Sequence, residues 1–192
     1  MEKFALILQS RTAIEAHIAD NHAMRYEREI LDEIVDLIEK GDAEALAWFA
    51  GFGDSFRQIL MNVHDHRKAL EFGFTEIAFN KCGWFSSPKF LEFEDIKLEQ
   101  SSIRIGRWPN GIWAYALSLN YGTAGSSGPL SVFCKKYAGR DVVLTAALLN
   151  VNTEMTKYLG NTDTTNYKQD VLKKTLKEVV ALQIEQVQFS LF

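Results

Sequence analysis

Apolar positions in the first third of the chain recur at helical spacing. Ile30, Ile34, Leu37 and Ile38 fall at i, i+4, i+7 and i+8, which is one face of a helix. Glu27, Glu29, Asp32, Glu33, Asp36 and Glu39 take most of the other faces. Gly41 sits where a C-terminal cap belongs, and Asp42 follows as an N-cap for a second helix with Ala45, Leu46 and Phe49 on its apolar side. Gly51 and Gly53 break that run. Asp54 or Ser55 then caps a further helix with Phe56, Ile59, Leu60 and Val63 facing inward. An earlier helix is expected from Ser10 to Met24.

Near Phe72 the period changes. Thr75–Phe79, Lys89–Leu98, Ser102–Trp108, Ile112–Tyr121 and Leu130–Lys135 read as strands. The clearest alternates Trp113, Tyr115, Leu117, Leu119 and Tyr121 with Ala114, Ala116, Ser118 and Asn120. A period of two gives one apolar face and one small, polar face. Pro109-Asn110-Gly111 is a turn by its chemistry, so Ile103–Arg107 and Ile112–Tyr121 form an antiparallel hairpin. Gly122–Gly128, GTAGSSG, reads as a mobile polar connection.

Helical spacing returns after Tyr137. Asp141 starts a helix with Val142, Leu144, Leu148 and Leu149 as its apolar surface. A last helix from Lys168 to Gln186 presents Leu172, Leu176, Val179, Val180 and Val187 inward. Helices, a meander sheet and helices again make an α+β order. The segments are a helical part (1–72), a sheet with packed helices (73–187) that forms one compact unit with it, and a tail (188–192). The final helix is long enough to pair with a second copy, making a homo-oligomer a candidate assembly, although no sustained heptad requires it.

Composition changes this picture little, because 47 % apolar and 24 % charged residues describe an ordinary globular chain. The charge distribution says more. Residues 1–80 carry 8 basic against 15 acidic side chains, whereas residues 81–140 carry 8 against 4. An acidic front and a basic middle imply separate surfaces, not a protein that coats nucleic acid along its length. Cys82 and Cys134 are far apart in sequence and read as small buried apolar residues without disulfide or zinc. The apolar run Phe4–Leu8 is too short for a signal sequence, and no stretch reaches membrane-span length. These features predict a cytoplasmic protein without a membrane partner.

No catalytic constellation, metal site or cofactor motif emerges. His64-Asp65-His66 has ligand types, but i and i+2 point to different helical faces; His17 and His22 also diverge. Solvated helix-end histidines are expected instead. The carboxylates Glu29, Asp32, Glu33 and Asp36 read as the wet face of an amphipathic helix. Gly125, Ser126 and Ser127 lack nucleophile-elbow spacing. Their backbone N–H groups suit an anion such as a nucleotide, with Arg104, Arg107, Trp108, Lys135, Lys136 and Arg140 as neighbours. Trp84 and Trp108 lie beside turns, where they are free to stack on single-stranded nucleic acid. An enzyme assembled from distant residues stays open, because active sites are spatial.

The chain ends Gln188-Phe189-Ser190-Leu191-Phe192. This resembles the pentapeptide by which many bacterial proteins bind the replication sliding clamp: Gln, any residue, Ser or Asp, Leu, Phe. The likeness covers five residues and implies nothing about the main fold. It implies that Gln188, Leu191 and Phe192 meet a clamp, as linear recognition segments carry their own anchors. The competing expectation is that Leu191 continues the stripe from Val187 and packs on the core. In outline, Ser102–Asn150 resembles small sheet-and-helix modules of plasmid- and phage-encoded proteins. The resulting expectation is a non-enzymatic accessory protein of bacterial, plasmid or phage DNA metabolism, with DNA meeting the basic middle. A protein that sequesters a small anionic ligand is the alternative.

Overall fold

The computed structural model describes residues 10–19, 23–86, 90 and 92–189. The chain divides into two units, 1–88 and 89–192, so residues 73–86 belong with the N-terminal helices and not with the sheet.

The first unit contains α1 (Ser10–Ala19), α2 (Arg25–Lys40), α3 (Ala43–Ala50) and α4 (Phe56–Leu70). The α2 stripe is buried at Ile30, Leu31, Ile34 and Ile38. Gly41 ends it at φ 67°, with its N–H donating to the Ile38 carbonyl; a side chain there would be strained. The Asp42 carboxylate caps α3 by accepting the Ala45 N–H, and the Ser55 hydroxyl caps α4 by accepting the Gln58 N–H. Phe49, Phe52, Ile59, Leu60 and Val63 complete the core with Ile14 of α1. Residues 20–22, expected in the first helix, lie outside the described residues. Thr75–Phe79 forms no strand; its only strand-like feature is an isolated bridge from Phe79 to Phe85.

The second unit is a four-stranded antiparallel meander with two helices on one face. Its strands are β1 (Glu92–Leu98), β2 (Ser101–Arg107), β3 (Trp113–Asn120) and β4 (Gly125–Ser127), in spatial order β1-β2-β3-β4. The expected antiparallel hairpin between β2 and β3 forms, and its register sets Ile103 opposite Leu117 and Ile105 opposite Tyr115. Its turn closes through Trp108 N–H to the Ile112 carbonyl at 2.9 Å, with Gly111 at φ 81°. The helices α5 (Arg140–Lys157) and α6 (Gln169–Phe189) cover the face carrying Ile103, Ile105, Trp113 and Leu119. They contribute Val143, Leu144, Ala147, Leu148, Val151, Leu172 and Val179.

Four expectations change. Gly125–Ser127 is an edge strand paired with Ser118–Asn120, so part of the expected mobile loop is in the ladder. Leu130–Lys135 is irregular. Its excursion places Leu130 on the opposite sheet face, where a Cβ added to Gly106 would meet Leu130 Cδ2 at 2.7 Å and Phe90 Cδ1 at 2.6 Å. Glycine is what lets that layer close down. Trp108 joins Phe90 edge-to-face, ring centroids 4.3 Å apart, and is only 1 % exposed, so it does not offer a stacking surface. Finally, Val180 and Val187 of α6 and Val142 and Leu149 of α5 are exposed, not inward. No described helix is long and apolar enough to cross a membrane.

Candidate functional site

Among the described residues each unit carries a groove. In the first unit a groove of about 430 Å³ lies between α2 and α4. Tyr26 stacks on His64 there, centroids 3.9 Å apart. Its cations have partners already: Arg25 with Glu29, Lys68 with Glu71, and Arg67 with Glu33. Burial, reinforced by Lys68, holds His64 below the ordinary imidazole range. The groove is therefore balanced in charge.

His64 and His66 do not converge, and only one of them is wet. His66 is 5 % exposed. Its ring lies among Trp48, Phe52 and Phe85, at centroid distances of 6.1, 5.3 and 5.8 Å. Neither ring nitrogen has a hydrogen-bond partner among the described residues. This corrects the expectation of solvated histidines. Burial, then Arg67, pushes its pKa down, so the neutral form is favoured. Among the described residues no three His, Cys, Asp or Glu side chains are grouped to hold a metal ion; the His17 and His22 side chains lie outside the described residues. The cysteines also depart from expectation: Cys82 is exposed and Cys134 half-buried.

The second groove, about 420 Å³, opens at the β3–β4 edge of the sheet. One wall is Tyr115, Leu117 and Leu119 of β3; Ser126, Ser127 and Pro129 form the rim. Asn150 and Glu154, one turn apart on α5, form the floor. The Asn150 side-chain amide donates to the Tyr115 hydroxyl at 2.9 Å. Tyr137, close to Tyr115, has its hydroxyl pKa pushed up to about 12 by burial and by that neighbour.

The residues read as an anion site scatter around this groove. Ser126 and Ser127 border it, and the Ser126 hydroxyl is 3.2 Å from that of Tyr121. Gly125 pairs with Asn120. Arg104 lies over the Phe93 ring on the other sheet face, near Asp95. Arg107 pairs in register with Trp113 at the far end of the hairpin. The Lys135 ammonium sits over Tyr137 at 5.6 Å, and Lys136 is exposed. Arg140 makes a two-pronged ion pair with Glu94, both contacts 2.7 Å, which holds the Glu94 carboxyl below the usual range. None of these cations lines the groove, whereas Glu154 does.

Sequence reasoning missed Tyr115, Asn150 and Glu154 as neighbours of the Gly-Ser segment. The one signal was that Asn150 and Glu154 are spaced i, i+4 beside the buried Ala147 and Val151; one amide and one carboxylate at that spacing look like any helix surface. Of the tail, Gln188 is exposed on the last turn of α6, while Leu191 and Phe192 lie outside the described residues. No family model, curated protein sequence or solved structure matches the chain.

Proposed function

We propose that the chain is a non-enzymatic accessory protein of bacterial, plasmid or phage DNA metabolism, tethered to the replication sliding clamp through Gln188, Leu191 and Phe192. The observation that carries this reading is the Gln-x-Ser-Leu-Phe sequence running on from an exposed helix end. Ile184 and Val187 are 54 % and 59 % exposed. The apolar stripe that Leu191 was expected to continue is therefore outside the core over its last described turns. Exposed apolar side chains in such a row favour a partner, and Gln188 stands beside them.

The test is calorimetry of a bacterial sliding clamp against the full chain, a chain lacking residues 188–192, and Leu191→Ala/Phe192→Ala. Full-length protein should bind saturably. Removing the anchors should weaken binding at least tenfold, about 1.4 kcal/mol or more, with an unchanged circular dichroism spectrum. Equal affinity of the three proteins overturns the proposal, as does no binding by the full chain. The alternative of an anionic ligand at Gly125–Ser127 gains no support from a groove floored by Glu154.

A further inference from the structure

The groove at the β3–β4 edge has a second property, and it follows from how the strands pair. Antiparallel ladders alternate, so successive residues of a strand turn their backbone groups to opposite neighbours. Trp113 exchanges both of its hydrogen bonds with Tyr137, at 2.9 and 2.8 Å. It therefore faces away from β2, and so do Tyr115, Leu117 and Leu119. Leu119 meets Ser126 of β4, and the Leu117 carbonyl accepts the Gly128 N–H at 3.2 Å. Beyond that point the chain leaves the edge and returns only at Tyr137. The N–H groups of Tyr115 and Leu117 are left without a hydrogen-bond partner among the described residues. The Tyr115 carbonyl is turned to the same side.

Tyr115 and Leu117 are half-buried, and N–H groups at an open sheet edge bond to water until another partner takes its place, so a stretch of open ladder lining a groove is a place where a ligand can take over those bonds. The gap from Leu117 to Trp113 spans about 13 Å at strand rise. It is closed at both ends by the chain's own segments, Gly128 and Tyr137. That closure excludes a long added strand and suits a small molecule. The volume, about 420 Å³, is also in the range of small-ligand sites.

The side chains specify the ligand's charge. Glu154 makes no hydrogen bond or ion pair among the described residues, and it lines the groove half-buried. Lys157, three residues on, feels its charge, but its ammonium lies over the Tyr158 ring. Ser127 likewise keeps its hydroxyl unengaged among the described residues and lines the same groove. Leu117, Leu119 and Pro129 supply apolar walls.

We propose that this groove binds a small cationic ligand, a guanidinium or ammonium group on an apolar stem with an amide. The cation donates to the Glu154 carboxylate and the Tyr115 carbonyl. The stem lies against Leu117 and Pro129, and the amide oxygen accepts the free N–H of Tyr115 or Leu117. A phosphate or carboxylate ligand is rejected by Glu154. This is independent of the tail, which can be deleted without touching the groove.

The experiment is a titration of the full chain with Nα-acetyl-arginine amide, followed by calorimetry and by amide chemical shifts. Its acidic counterpart, Nα-acetyl-glutamate amide, and a ribonucleoside monophosphate serve as comparison probes. The arginine derivative should bind saturably in the millimolar range or tighter, shifting the Tyr115 and Leu117 amide resonances first. Glu154→Gln, which keeps shape and helix propensity, should weaken it at least tenfold; Ser127→Ala should weaken it less. Saturable binding that is unchanged in Glu154→Gln, shifts confined to other residues, or equal binding of the acidic probes each overturns the proposal. So does the absence of binding to the wild-type chain.

Discussion

The two units solve the same problem, satisfying buried backbone, in different ways. The first has an irregular segment, residues 74–86, with no ladder of its own beyond one bridge. Asn62, buried in α4, takes over. Its amide nitrogen donates to the carbonyls of Phe52 and Gly83, at 2.6 and 2.8 Å, and its oxygen accepts the Phe85 N–H at 2.9 Å. One side chain thus pins two separate segments to a helix. The second unit is a meander, and its strands are satisfied by their neighbours except on the outer edge of β3 between Leu117 and Trp113. Among the described residues its buried polar side chains are Ser101, which accepts the Asn120 N–H, and Thr175, which donates to Val171 of its own helix. A sheet closes its own hydrogen bonds; an irregular segment needs side chains from elsewhere. The second unit is therefore governed by apolar packing, and the first by packing together with a few specific polar contacts.

That contrast is tested first by the apolar side. Leu148, fully buried between α5 and the sheet, should cost about 3–4 kcal/mol of the second unit's stability when truncated to Ala, through lost burial and a cavity. Hydrogen exchange should show the loss in residues 92–189 and leave α2 and α4 unchanged. Exchange rising equally in α2 would break the picture of separate cores.

Asn62→Ala should come next, at about 3 kcal/mol, because it orphans buried groups in two segments at once. Exchange at Phe85 and mobility at Gly83 should rise before the helices respond. Leucine at the same position should rescue little, since the lost contacts are directional. Rescue to wild-type stability would mean that the first unit is also a packing-dominated core.

The pH response should sharpen the comparison further. All four histidines lie in residues 1–88. Burial lowers His66, so the unfolded chain takes up its proton first as the pH falls. Stability present above the ordinary imidazole value, about 6.5, should therefore decline as the pH drops through and below it. His64 is lowered for the same reason and adds to the trend. Asp65 is raised by burial and acts oppositely at lower pH, which sets the window at about pH 7.5 to 5.5. Denaturant melts should show the loss in the first unit alone, and His66→Phe should flatten most of it. A parallel loss in the histidine-free second unit would assign the effect elsewhere.

The smallest effect is expected at Arg140. Its pair with Glu94 is two-pronged, but both side chains are more than a third exposed. Arg140→Ala should cost about 0.5–1 kcal/mol, and less in high salt. A loss several times larger would make this contact a structural tie comparable to Asn62.

Local physics carried the sequence a long way. The 3.6 period of α2, the caps at Gly41, Asp42 and Ser55, the period of two in β3 and the Pro-Asn-Gly turn each act within a few residues, so their outcome can be read in place. They yielded the α+β class, the helix order and the central hairpin. What failed depended on partners far away in sequence. His66 and Trp108 look like residues near turns until Phe85 and Phe90 close over them. Val180 and Val187 share a helix with Val179, yet only the placement of α5 and the sheet decides which of the three is covered. Gly125–Ser127 has loop composition, and it becomes a strand because β3 offers an unpaired edge. The candidate groove has the same origin. Its serines were visible as a motif, but its charge comes from Glu154 and its open hydrogen bonds from β3, and those meet only when the strand, the helix and the excursion at Pro129 are folded together.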